Sequence, residues 1–267
     1  MRQREYLLGM SVILCTILAG CLGKAPAPKP TYPPVQKPAT VRKVCSTPKP
    51  AVIAVIDTGL GLNTESAKAH LCKFGHKDFT SLQTYTNFPN TINPVPTDEH
   101  GHGTNIAGLI DKYAGERNYC MVILKYYSPL STQEDNLANT VRAIEYAMNI
   151  GVKYINYSGG GMEFSLIENR AVKKFLDKGG KFIAAAGNEG KDIDVFPFYP
   201  AKDDKRVISV GNLNINGQIA ETSNYGESVT RWERGTAMTG FGVTMTGTSQ
   251  ATAVAAGKII NETECDK

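Results

Sequence analysis

Past position 50 the apolar residues fall into two alternating patterns. Continuous runs rich in Val and Ile occur at Ala51 to Ile56, Met121 to Tyr126, Lys153 to Ser158, Lys181 to Ala186 and Arg206 to Gly211. An unbroken run of that kind predicts a strand covered on both faces. Between the runs, Leu137, Val141, Ile144 and Met148 recur at helical spacing in the segment Leu137 to Ile150, which stops at Gly151, and Leu166 to Lys178 stops at Gly179. Glycine just past the last periodic residue is a helix stop, because it accepts the left-handed backbone there. Strand and helix alternating in this order predict an α/β domain over residues 51–267, in three layers, with a mostly parallel sheet and helices on both faces. No internal repeat at solenoid periods interrupts the pattern.

The first fifty residues follow other rules. Arg2 and Arg4 precede an apolar run from Leu7 to Ala19, too short to span a bilayer and typical of an export signal. The run ends in Leu18-Ala19-Gly20-Cys21, which resembles the bacterial lipobox and implies residues 1–20 as a lipoprotein signal peptide with lipidation (palmitate among the acyl groups) at Cys21. An ordinary secretory signal is the plainer alternative. Leu22 after the cysteine resembles the outer-membrane sorting of enterobacterial lipoproteins, so the expected location is the cell envelope, facing the periplasm. Residues 21–50 read as a tether: Pro26, Pro28, Pro30, Pro33, Pro34, Pro38, Pro48 and Pro50 fall here, and such a stretch stays extended because it has little apolar surface to bury.

The formal charge of +4 changes meaning once it is located. Lys24, Lys29, Lys37, Arg42, Lys43 and Lys49 sit in the tether with no acid among them, so the body beyond residue 50 is slightly acidic. That argues against a nucleic-acid partner, which needs a basic surface on the folded domain. Beyond Cys15 and Cys21, four cysteines remain: Cys45, Cys72, Cys120 and Cys265. An even number suits an oxidising compartment, and four allow three pairings. The favoured set is Cys45 with Cys265 and Cys72 with Cys120, although the sequence alone does not select it. No two of them lie at zinc-ligand spacing, so no metal is expected there.

In sheets of this kind chemistry gathers at the carboxyl ends of the strands. Four segments there stand out: Val55-Ile56-Asp57-Thr58-Gly59, Asp98-Glu99-His100-Gly101-His102-Gly103-Thr104, Ala184-Ala185-Ala186-Gly187-Asn188, and Gly247-Thr248-Ser249-Gln250-Ala251. Each has a plain reading alone: a turn Asp, a helix start, a turn Asn, a serine N-cap. His100 and His102 supply too few ligands for a metal site. Together, Asp, His and Ser in that chain order match the order of the subtilisin triad.

Over about residues 51–260 the sequence resembles the subtilisin-like serine peptidases. The resemblance implies Asp57, His102 and Ser249 as a catalytic triad and an oxyanion hole built from Asn188 and the Ser249 backbone N–H, buttressed by Thr248. It implies a substrate-pairing edge at Ser158, Gly159 and Gly160, faced by Ala185, Ala186 and Gly187. The implied activity is that of a serine endopeptidase acting on peptide or protein substrates with no cofactor. A non-catalytic binding module on the same fold is the alternative, and the oligomeric state is not readable.

The departures from the family pattern are specific. Asn105 stands where a second histidine is usual, Gln250 where methionine is frequent, and Ala253-Val254 where Pro-His is frequent. Thr230 to Thr236 lacks the usual Ala-Pro-Gly, the chain past Ser249 is short enough that a domain truncated at its C-terminus is expected, and no counterpart of the calcium loop follows His102. Residues 22–50 leave no room for a folded pro-segment. Finally, Phe198-Tyr199-Pro200 aligns with a family segment whose first residue, a glycine, floors the pocket for the side chain before the scissile bond. Phe198 is expected to fill that floor and favour small residues at the cut.

Overall fold

The computed structural model describes residues 50–61, 65–80 and 94–262. The signal, the lipidated cysteine, the tether and the Cys45–Cys265 pairing lie outside the described residues. Among the described residues no helix is long and apolar enough to cross a membrane.

The order of elements is β1 (Ala51–Asp57), α1 (Glu65–Ala69), β2 (Lys77–Asp78), α2 (His102–Ala114), β3 (Tyr119–Lys125), α3 (Gln133–Asn149), β4 (Tyr154–Tyr157) and α4 (Leu166–Asp177). There follow β5 (Lys181–Ala185), β6 (Ile208–Leu213), β7 (Arg231–Arg234), β8 (Met238–Gly240), β9 (Val243–Met245) and α5 (Thr248–Glu262). Seven strands form one sheet in the order β2-β3-β1-β4-β5-β6-β7, and every pairing in it is parallel. β8 and β9 form a separate antiparallel hairpin.

All five apolar runs are strands of the sheet. β1 is central and buried from Ile53 to Asp57, because parallel crossovers place helices over both of its faces. α2 and α5 pack together over one face, and α3 and α4 pack together on the other. The core under α2 and α5 joins Ile53, Val55, Met121 and Ile123 of the sheet to Ile106, Leu109, Ile110, Val254 and Ile259 of the helices. Burying such side chains stabilises by roughly 1.5–3 kcal/mol each.

α3 begins a turn earlier than its apolar period suggested. Thr132 accepts from Asp135 N while the Asp135 side chain reaches back to the Thr132 backbone, a capping box that satisfies two otherwise orphaned N–H groups. α5 approaches α2 closely: a Cβ on Gly257 would lie 2.7 Å from the Ile110 carbonyl oxygen, so only glycine fits. Cys72 and Cys120 are disulfide-bonded, which is the pairing expected for these two, and they join the segment after α1 to the start of β3.

Candidate active site

Parallel strands deliver their carboxyl ends to one edge, and the predicted residues meet there. Asp57 ends β1, buried, and its Oδ1 lies 2.7 Å from His102 Nδ1. A carboxylate only accepts, so Nδ1 carries a proton, and in the neutral imidazole Nε2 keeps its lone pair. Burial opposes a charged imidazole, but the charge and hydrogen bond of Asp57, with a further contribution from Asp98, hold the His102 pKa above its ordinary value.

The start of α2 lacks a side-chain cap from Gly101 itself. Asp98 does that work from three residues upstream. Its Oδ1 accepts from Gly101 N (2.9 Å), His100 N (3.0 Å) and Thr58 Oγ1 (2.8 Å), and its Oδ2 accepts from Thr104 N (2.9 Å) and Thr104 Oγ1 (2.6 Å). Thr58 Oγ1 in turn accepts from Gly103 N at 2.8 Å. The residue after Asp57 and the residue after His102 therefore share one hydroxyl, which locks the carboxylate and the imidazole to each other. Despite its partial burial these bonds lower the Asp98 pKa, so the carboxyl is ionised.

Ser249 lies in the first turn of α5, where backbone N–H groups have no intrahelical acceptor. Its hydroxyl donates to the Ser158 carbonyl oxygen at 2.9 Å, and the Ser158 hydroxyl donates to the Ser249 carbonyl oxygen at 3.2 Å. A hydroxyl has one proton, so in this conformer it is given to Ser158 and not to His102. Asn188 follows β5, and its Oδ1 accepts from Thr248 N (2.9 Å) and Thr248 Oγ1 (3.1 Å). With the oxygen so engaged, the amide NH₂ is the end left for a ligand. Thr248 also accepts from Gly187 N through its hydroxyl at 3.2 Å, tying the two loops together.

The two expected walls face each other across Phe198. A Cβ on Gly160 would lie 2.5 Å from Phe198 Cε1, and one on Gly187 would lie 2.8 Å from Phe198 Cδ2. The buried ring thus occupies the space between Gly160 and the Ala185-Ala186-Gly187 wall. Gly159 is pressed as closely, since its Cβ would meet the Tyr126 hydroxyl at 2.3 Å.

Sequence reasoning missed four supporting residues. Asp98 was seen only as part of the histidine segment. Asn224 holds the Asn188 loop: its amide donates to the Ala186 carbonyl oxygen (2.8 Å) and Glu189 Oε2 (2.7 Å), while its oxygen accepts from Glu189 N (3.1 Å) and Lys191 N (2.9 Å). No local signal marks it, being 36 positions from Asn188. Asn105 and Gln250 were noted only as departures, yet Gln250 Nε2 donates to Asn105 Oδ1 at 3.0 Å.

A parallel α/β sheet with an aspartate, a histidine and a helix-borne serine at its carboxyl edge defines the subtilisin-like class. The chain belongs to the subtilase family, whose model matches residues 49–260. It is 31% identical to subtilisin DY of Bacillus licheniformis over 65% of this chain and 60% of that protein. It is 27% identical to thermitase of Thermoactinomyces vulgaris over 78% of this chain and 72% of that one. Against subtilisin-like protease 2 of Plasmodium falciparum it is 27% identical, covering 65% of this chain and 14% of that protein. The chain thus spans less than two thirds of the length of the first curated relatives it matches. Among solved structures, a cold-adapted subtilisin-like serine proteinase superposes with a TM-score of 0.63 at 25% identity, over 78% of this chain and 73% of that one. A lanthipeptide protease shares the fold, with a TM-score of 0.66 at 21% identity over 79% and 72% of the two chains.

Proposed function

We propose that this chain is a serine endopeptidase whose triad is Asp57, His102 and Ser249. The supporting observation is the 2.7 Å contact of His102 Nδ1 with buried Asp57, which leaves Nε2 as the base that takes the Ser249 proton. On binding a peptide, Ser249 turns its proton from Ser158 to His102 Nε2 and its Oγ attacks the scissile carbonyl carbon. The oxyanion that forms takes hydrogen bonds from Asn188 Nδ2 and Ser249 N, donors fixed before the charge appears. His102 then gives the proton to the leaving amine, and an acyl-enzyme at Ser249 remains. Water, deprotonated by the same imidazole, releases the acid product.

The substrate lies along Ser158, Gly159 and Gly160, whose lack of side chains at the two glycines permits close backbone approach. Phe198 fills the pocket beyond them, so small residues such as Ala or Ser are favoured before the cut. Casein hydrolysis by the wild type, lost in Ser249→Ala with unchanged circular dichroism, supports the reading; equal hydrolysis by the variant contradicts it.

The resemblance of Leu18-Ala19-Gly20-Cys21 to a lipobox supports a second part of the proposal. The mature chain begins at an acylated Cys21 and is held on the bacterial envelope, on the outer membrane facing the periplasm. Membrane retention in high salt should be lost in Cys21→Ser; equal retention in that variant would end the proposal of a lipid anchor.

A further inference from the structure

We propose that Asn105 and Gln250 are a positioning pair, which holds the histidine-bearing helix and the serine-bearing helix at the separation that the proton transfer needs. The inference rests on the triad reading and extends it to two buried residues beside the reacting ones.

Asn105 follows His102 by three residues on α2, and Gln250 follows Ser249 directly on α5. A clamp between them therefore acts within one helical turn of both reacting side chains. At the other end of the helix pair the backbones already touch, since a Cβ on Gly257 would lie 2.7 Å from the Ile110 carbonyl oxygen and 2.8 Å from Tyr113 Cβ. One contact sets a distance but not an angle. The second contact, at the site end, is Gln250 Nε2 donating to Asn105 Oδ1 at 3.0 Å.

The clamp is itself held. Asn105 spends its two amide protons on the carbonyl oxygens of Met238 (3.0 Å) and Val243 (2.7 Å), one on each strand of the β8–β9 hairpin. Flipping that amide would turn its oxygen onto two acceptors and its NH₂ onto a donor, so its orientation is forced. The hairpin lies directly against α2, since a Cβ on Gly240 would lie 2.2 Å from the Asn105 carbonyl oxygen. Both side chains are almost fully buried, where water cannot replace a lost partner. These are two of the positions at which the sequence departs from the family pattern, and the two departures meet in one hydrogen bond. Replacing Gln250 alone takes the donor from Asn105 Oδ1, and replacing Asn105 alone takes the acceptor from Gln250 Nε2, whereas replacing both removes this mutual demand.

The test uses the full chain and four proteins: wild type, Gln250→Met, Asn105→His and the double variant. Turnover is normalised to sites titrated by a fluorophosphonate, so misfolded material does not count. Ser249→Ala is measured beside them. Each single variant should lower kcat roughly tenfold with KM changed by less than about twofold, because the bond orients catalytic groups and does not bind substrate. The double variant should recover most of that loss, a non-additivity expected only of coupled neighbours. Single variants with wild-type kcat per titrated site, or a double variant showing the product of the two losses, would overturn the pair while the triad reading stood. A wild type whose turnover survives Ser249→Ala would break the triad reading, and the pair with it.

Discussion

Helix α2 carries one half of a histidine–aspartate pair at each end, and the two pairs behave differently. At its first turn His102 Nδ1 meets Asp57 Oδ1 at 2.7 Å; in its last turns Asp111 Oδ1 meets His70 Nδ1 at 2.6 Å. By distance and by atoms they are the same interaction. Their surroundings are not. The side chains of His102 and Asp57 are 21% and 3% exposed, those of His70 and Asp111 37% and 22%. The first pair sits at the carboxyl edge of the sheet, the edge to which β4 and β5 also deliver Ser158 and Asn188. The second sits by the start of β3, where His70 stacks on Tyr119 at 4.7 Å and the Tyr119 hydroxyl donates to the same Asp111 oxygen at 2.7 Å. A short imidazole–carboxylate contact is therefore not a site by itself. Chemistry needs a buried carboxylate, a nucleophile on the side of the free imidazole nitrogen, and donors for the charge that develops.

The sharpest way to break this contrast is to remove each histidine in turn. His102→Ala should lower kcat by more than about 10³-fold, as loss of a triad member does. His70→Ala should leave kcat/KM within about twofold and cost stability only. Steady-state hydrolysis of one peptide decides, and a large loss in His70→Ala would end the distinction. Next in size is Asn188→Ala. Removal of the oxyanion asparagine in subtilisin lowers kcat by roughly 10²–10³, and that magnitude is the expectation here, with KM nearly unchanged.

Phe198→Gly should open the pocket between the two walls and shift cleavage toward large apolar residues. The ring opposes them by an overpacking cost of roughly 1–3 kcal/mol. A peptide-library profile that already prefers Phe or Leu in the wild type, unchanged in the variant, would show that the ring does not limit the pocket. The smallest effect concerns charge. Asp57 on β1 and Asp98 ahead of α2 are the carboxylates facing His102; His100 lies edge-on at 6.2 Å, and Lys125 beyond is paired with Glu99. Because Asp98 raises the His102 pKa, Asp98→Asn should move the acid limb of the kcat/KM profile to lower pH. A limb that stays in place would show that Asp98 acts on geometry alone.

What could be read in advance follows a physical line. The five main strands announce themselves because a parallel sheet buried on both faces demands unbroken apolar runs. Asp57, His102, Asn188 and Ser249 were legible as candidates because each stands at or just past a strand end or in the first turn of a helix, within a short motif. β7 was not, since it reads Arg231-Trp232-Glu233-Arg234 and only its partners explain it: Glu233 is buried against Arg231 and Lys258, and Trp232 lies where Gly211 leaves room. Asn224 and the Asn105–Gln250 bond were equally hidden, because hydrogen bonds between residues 35, 38 or 145 positions apart leave no local pattern. The motifs named the candidate reacting groups; the residues that hold them still became visible only when the chain closed on itself.

In the proposed mechanism Ser249 is made nucleophilic by the buried pair and not by any other histidine. Incubation with a fluorophosphonate probe followed by peptide mass spectrometry measures that directly. A single adduct is expected on Ser249 in the wild type and in His70→Ala, with loss of that adduct in His102→Ala. An unlabelled wild type, or labelling of Ser249 that persists at the wild-type rate in His102→Ala, would contradict it.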